Sequence, residues 1–354
     1  MLYRKYRPKL FSEVVGQGHV VQTLQGALTS GRIGHAYLFS GPRGTGKTTL
    51  ARIFAKALNC AEQCKDGNPD NNCESCVSFN NGSSMDLIEI DAASNRGIED
   101  IRGIKDSALV SAPSGKYKIF IIDEVHMLSK DAFNALLKVL EEPPAHVVFV
   151  LATTEPHKIL ATVLSRVQRF DFKRITPKQI FTTLKSIAAA EEMKIEDEGL
   201  WAIAFSSDGA LRDAEVALSK LRAVYQKRQI ISADYINDML GIVPRKYHAE
   251  LLNTLVKGDK STAIGFIHKI HDSGVDLENF TKGFLEFSRE ALLAKVSPAT
   301  LTAMGRENTL QDEISGADPK LLIKIITLFT VARSEMKHSP IQQLPLELAI
   351  LEIT

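Results

Sequence analysis

The sequence predicts an α/β domain built on a parallel sheet, followed by an all-helical remainder. Three observations point there. Apolar runs of strand length alternate with amphipathic stretches as far as residue 175, the pattern of strands covered on both faces. A glycine-rich turn joins the first of these runs to a helix opening at Lys47. From Thr176-Pro177 onward no convincing strand is found, and the same cap-then-proline signature returns at Ser297-Pro298 and Asp318-Pro319, as at helix starts.

In order, residues 1–17 read as irregular and basic, and a helix follows over His19–Thr29 with Val20, Val21, Leu24 and Leu28 at helical spacing. Tyr37–Ser40 is a short buried strand, Gly41 to Gly46 a loop, and Lys47 to near Leu58 an amphipathic helix. Further strands are expected at Asp86–Asp91, Tyr117–Ile122, His146–Ala152 and Phe170–Phe172, with helices at Ile98–Leu109 and Lys130–Glu141. Pro143-Pro144 stops the second of these. Helices over 177–192, 196–206, 210–225 and 232–240 form a small bundle, and Val243–Thr354 a second helical block.

At 354 residues the chain is long enough for two or three domains. Hydrophobic content of 44% and charged content of 24% are ordinary for a globular protein. A net charge of +1 excludes a generally basic nucleic-acid binder and leaves local patches, such as MLYRKYRPK at the start. The absence of a membrane-length apolar run and of a signal-peptide pattern leads to the expectation of a cytoplasmic protein without membrane partners.

The spacing Gly41-x-x-x-x-Gly46-Lys47-Thr48 fits G-x-x-x-x-G-K-[ST] between a strand and a helix, the context that makes it a phosphate loop. Its glycines let backbone N–H groups approach a polyphosphate, and the helix start adds donors and the positive end of its dipole. The nucleotide-binding run is therefore Gly41, Pro42, Arg43, Gly44, Thr45, Gly46, Lys47, Thr48 and Thr49. Lys47 reaches the β- and γ-phosphates, and the Thr48 hydroxyl sits on magnesium. The strand KYKIFII delivers Asp123 and Glu124; Asp123 would hold magnesium through water, and Glu124 would polarise the attacking water. Thr153-Thr154 at the tip of the next strand either touch the γ-phosphate or its water, or cap the following turn.

All four cysteines fall between Cys60 and Cys76, spaced C-x₃-C-x₈-C-x₂-C among Gly, Pro, Asn and Asp. In a reducing compartment this clustering favours structural zinc on Cys60, Cys64, Cys73 and Cys76, the alternative being reduced, unligated thiols.

The stretches YRKYRPKLFSEVVGQ, HAYLFSGPRGTGKTT, DLIEIDAASNRGIEDIR, FIIDEVHMLSKDAFNALLKVLEEPP, LATTEPHKI, LSRVQRF and GALRDAEVAL resemble the gamma/tau subunits of the bacterial DNA polymerase III clamp loader. The resemblance implies a RecA-like AAA+ ATPase domain over 1–175 with a zinc insertion at 60–76, a helical lid over 176–241, and a helical collar over 242–354 that joins subunits into a pentamer. It implies Thr154 as first sensor, Arg166 as an arginine finger acting on a neighbouring subunit, and Arg212 of GALRDA as the lid sensor. The finger motif here reads Ser165-Arg166-Val167 rather than Ser-Arg-Cys. The Tyr-Arg-Pro stretch, with Tyr6 and Arg7, and the segment Val14–Gln17, with Val15, resemble the part that packs on adenine. The family's zinc pattern places its second ligand at Asp70; Cys64 is expected to substitute for it by folding the loop back.

The function this implies is an ATP-driven motor that opens the sliding clamp and loads it onto primer–template DNA. ATP, magnesium and zinc are the implied cofactors, and delta, delta-prime and further copies of the chain the implied partners. A scaffold subunit of the same assembly is disfavoured by intact Lys47, Thr48, Asp123 and Glu124. A Holliday-junction motor is disfavoured by the cysteine insertion and the helical last block. Nothing in the chain offers the carboxylate-rich site of a polymerase. For DNA, the loop and helix start Ser94–Arg102 could aim backbone N–H groups and Arg96 at phosphates, or could be an ordinary solvated surface.

Overall fold

The structure, a computed structural model, describes residues 1–62, 66–225, 230–303 and 317–353. Five strands, β1 (Ala36–Ser40), β2 (Leu87–Asp91), β3 (Lys118–Asp123), β4 (Val147–Thr153) and β5 (Gln168–Asp171), form one sheet in the order β2-β3-β4-β1-β5. Every pairing in it is parallel, as alternation with helices dictates.

The period-two geometry of a strand sends successive side chains to opposite faces, and here both faces are apolar. Leu38, Phe120, Ile122, Phe149 and Leu151 pack on one side with Ile101, Ile104, Leu136 and Leu140. Those partners come from the helices Ile98–Ala108 and Lys130–Glu141. Tyr37, Phe39, Ile119, Ile121, Val148 and Val150 pack on the other with Val20, Leu24, Leu50, Ile53 and Phe54. These last belong to the helices Gly18–Ser30 and Lys47–Leu58. Ser129 caps Lys130–Glu141, its Oγ accepting from the Ala132 N–H at 3.2 Å.

Three details differ from the sequence expectation. The first residues are not wholly irregular: Leu2–Lys5 is a helical turn, because Leu2 is buried and its N–H donates to Ser219 Oγ at 2.9 Å. The cysteine segment runs into a helix, Glu74–Asn81, whose N-cap is Cys73. A lone parallel bridge, Ile195 with Ile231, lies in the region read as purely helical.

The chain forms two compact units, one of Met1–Ile187 with Ser207–Val224, the other of Ala188–Ser206 with Tyr225–Thr354. The first contains the sheet and the helix Leu211–Val224, so the segment expected as a lid contributes to both. Among the described residues the second is helical apart from that bridge, with a core that includes Leu251, Ile267, Phe280, Phe284, Ile325, Phe329 and Ile350. Among the described residues no helix is long and apolar enough to cross a membrane.

Candidate nucleotide and metal sites

The loop between β1 and the helix Lys47–Leu58 has left-handed backbone at Gly41 (φ 146°), Gly44 (φ 75°) and Gly46 (φ 100°). A Cβ at Gly41 would lie 2.5 Å from the Phe172 carbonyl oxygen, and one at Gly44 2.8 Å from Ala210 Cβ. Glycine is therefore required twice over at both, by conformation and by space. Lys47 is 6% exposed, and its ammonium donates to the carbonyls of Gly41 and Pro42, each at 2.8 Å. Burial lowers its pKa, while Glu124 and Asp123 act in the opposite sense. The Thr48 hydroxyl donates to Asp123 Oδ2 at 2.7 Å, so the two groups read as magnesium ligands are already adjacent.

Glu124 has φ 48°, an uncommon value for a residue with a side chain. The Thr154 hydroxyl donates to its Oε2 at 2.9 Å and the Thr154 N–H at 3.2 Å. His126 Nδ1 lies 3.4 Å from the same oxygen and 3.0 Å from Thr153 Oγ1. The carboxylate that would polarise water is thus tied to the tip of β4.

One cleft in the first unit brings these groups together. It is lined by Arg43–Thr49, Asp123 and Glu124 at one end, by Tyr3, Arg7, Pro8, Val14, Val15 and Ile175 elsewhere, and by Leu211, Arg212 and Glu215. The Arg212 guanidinium carbon lies 5.0 Å from the Tyr3 ring centre, a cation–π contact. Of the residues expected at a nucleotide, Arg7, Val15, Arg43, Gly44, Thr45, Gly46, Lys47, Thr48, Thr49, Asp123, Glu124 and Arg212 line the cleft. Gly41 and Pro42 stand behind it, offering Lys47 their carbonyls. Tyr6 is not among the lining residues; Tyr3 is. Pro8 and Val14, within the stretches expected at adenine, also line the cleft; sequence reading missed Tyr3, Ile175, Leu211 and Glu215 as wall residues. The signal for the last two was their place beside Arg212 in GALRDAEVAL.

Arg166 is elsewhere. Its guanidinium pairs with Glu141 Oε1 at 2.8 Å and donates to the Thr162 carbonyl at 2.7 Å. It lines a second depression with Gly34, His35 and Ala36, at the start of β1, whereas the phosphate loop follows the end of that strand. The five-residue strand between them is about 16 Å long.

In the cysteine segment, ligand atoms of Cys60, Asp70, Cys73 and Cys76 all lie within 4.8 Å of one another. The Cys73 N–H donates to Asp70 Oδ2 at 2.9 Å, and the Cys60 thiol to Asp70 Oδ1 at 3.3 Å. Hydrogen bonds from Cys76, Cys73 and Cys60 hold the Asp70 carboxyl below its usual range. Burial, then Asp70, pushes the Cys76 thiol up. Three sulfurs and a carboxylate suit tetrahedral zinc, which binds thiolates and would take the thiol protons. Cys64 lies outside the described residues; the fourth donor seen is Asp70, the position that the family pattern gives and that the expectation for Cys64 set aside.

The family described as "DNA polymerase III, delta subunit" matches residues 16–176, and "DNA polymerase III subunits gamma and tau domain III" matches residues 231–354. The DNA polymerase III subunit tau of Bacillus subtilis is 41% identical over 99% of this chain, which spans 62% of that protein. The tau subunit of Escherichia coli is 36% identical over 99% of this chain and 54% of its own length. Among solved structures, the Thermotoga maritima RuvB Holliday junction branch migration motor superposes with a TM-score of 0.50 at 23% identity, covering 71% of this chain and 79% of that one; this likeness concerns the fold. The DNA polymerase III subunit gamma of Buchnera aphidicola is 36% identical across 100% of this chain and 98% of its own length. With both chains matched from end to end, and with its last third fitting the gamma and tau domain, this chain belongs to the DNA polymerase III gamma/tau subunit family.

Proposed function

We propose that the chain is an ATP-driven motor subunit of the DNA polymerase III clamp loader, opening the sliding clamp and placing it on primer–template DNA, with hydrolysis releasing the clamp. The observation that carries this reading is the 2.7 Å hydrogen bond between Thr48 and Asp123, in one cleft with Lys47, Glu124 and Arg212. Thr48 and Asp123 are the residues to hold magnesium, which supplies positive charge against the phosphates. Lys47 exchanges its two loop carbonyls for phosphate oxygens. Glu124, released from the Thr154 hydroxyl, polarises the water that attacks the γ-phosphorus as ADP leaves. Arg212, at the start of its helix, reports the nucleotide to the lid.

Arg166 serves a neighbouring subunit in this reading, and its place at the far end of β1 supports that. The site is then complete in the pentamer with delta, delta-prime and other copies. We assign the segments 1–175, 176–241 and 242–354 to ATPase, lid and collar, zinc to the cysteine cluster, and the protein to the cytoplasm. Any polymerisation belongs to the holoenzyme.

The test is ATP turnover by the chain assembled with delta and delta-prime, with and without clamp and primed DNA. Stimulation by both is expected. Arg166→Ala should keep ATP binding and lose about 10³-fold in stimulated turnover. Turnover that ignores clamp and DNA would leave a generic ATPase, and unchanged turnover in the variant would remove Arg166 from the site.

A further inference from the structure

Glu215 stands on the wall of the nucleotide cleft, one helical turn beyond Arg212. The residue is 7% exposed. The Ser219 hydroxyl bonds its backbone carbonyl, and its carboxyl makes no hydrogen bond or ion pair with any described residue. Burial alone raises its pKa, to about 7. A largely desolvated carboxyl that borders a cleft without a protein partner is costly to ionise, and such a group is a candidate for contact with a ligand.

Which part of the ligand follows from the walls. The loop, Lys47 and Asp123 take the phosphates, where a further carboxyl would meet like charge. Leu211 and Glu215 are four residues apart on one face of the helix. Val14, Val15 and Ile175 line the same cleft, as do Arg7 and Arg212. A flat, uncharged base suits those apolar side chains, and a carboxyl away from the phosphates has complementarity for a neutral N–H donor on its edge.

We propose that Glu215 is a base-reading residue, its carboxyl accepting a hydrogen bond from the exocyclic amino group of adenine. This rests on the reading of the cleft as an ATP site. In its neutral form the acid also has a proton to donate to adenine N1, closing a two-bond pair that needs no buried charge. A glutamine offers the same acceptor and donor; a leucine fills the space and offers neither.

The experiment measures displacement of a fluorescent nucleotide from the full-length protein by magnesium-ATP and by magnesium–purine riboside triphosphate, which differs from ATP in lacking the amino group. The wild type should prefer ATP by about tenfold. Glu215→Gln should keep that preference, and Glu215→Leu should lose it through weaker ATP binding. A leucine variant with the wild-type ratio, or a wild type that does not separate the two nucleotides, overturns the proposal. A general packing defect would weaken both nucleotides equally and leave the ratio intact, which also overturns it. A wild type that binds neither nucleotide overturns the ATP reading itself, a result distinct from the others.

Discussion

The nucleotide cleft and the cysteine cluster belong to the same compact unit, yet they are organised by opposite means. The phosphate loop hangs between a buried strand and a helix. The Gly41 N–H donates to the Thr153 carbonyl at 3.2 Å, and Lys47 is held by two loop carbonyls. The loop is therefore anchored to the sheet at one end and closed on its own lysine. The cluster draws Cys60 and Asp70 from irregular chain, and Cys73 and Cys76 from the start of Glu74–Asn81. Among the described residues no strand supplies one of its donors, and several of its links are sulfur contacts of 3.3–3.4 Å. A site built on regular elements is preorganised for its ligand, whereas one built on loops depends on its ion for order. Substitution should therefore remove binding at the first and structure at the second.

Lys47→Ala tests the first half with the largest effect. Two charge-assisted bonds to phosphate are worth about 4 kcal/mol, on the order of 10³-fold in ATP affinity, while the melting temperature should hold. A collapse in melting temperature would show that the loop does not stand without its lysine.

The helical unit supplies a reference, a buried group with no ligand in view. His248 is 8% exposed and its Nε2 has no partner among the described residues. Burial, aided by Arg245, lowers its pKa to about 4 from 6.5. The unfolded chain therefore takes up a proton that the folded one refuses. Its contribution is full above pH 6.5 and falls away toward pH 4, by about 3 kcal/mol. Denaturant titrations across that range should show the slope, and His248→Phe should flatten it; an unchanged slope would acquit His248. Glu215 has the opposite sign. Its raised pKa favours the fold at low pH and costs stability as pH rises through about 7.

The smallest effect sharpens the second half. Asp70→Ala should weaken zinc by roughly 10–100-fold, a magnitude at which even supporting residues of metal sites register, with lower thermal stability. Competition against a chromophoric chelator measures it. Wild-type affinity in the variant would give the fourth position to Cys64.

Much of the fold and of the cleft is legible in the amino-acid order. The strands β1, β3 and β4 and the helices flanking them are visible because burial on both faces leaves continuous apolar runs, and capping chemistry is local. The phosphate loop is visible because its function resides in consecutive backbone groups. Leu2–Lys5 escapes such a reading because its helical turn is held by Ser219, more than two hundred residues away. Asp70 is marked in the sequence only by the family pattern, because a carboxylate carries no signature of its own until three thiols surround it.

The sequence by itself determined the order of strands and helices, the glycines at which left-handed backbone is obligatory, and the chemical identity of Lys47, Thr48, Asp123 and Glu124. Those properties depend on neighbours along the chain. Tertiary structure decided that Thr154 holds Glu124, that Arg166 lies at the other end of β1 from the phosphate loop, that Asp70 joins the thiols, and that Glu215 shares a cleft with Arg212. Each of these joins groups that the sequence keeps apart or leaves undirected, and a hydrogen bond or a buried charge is defined by distances that folding alone creates.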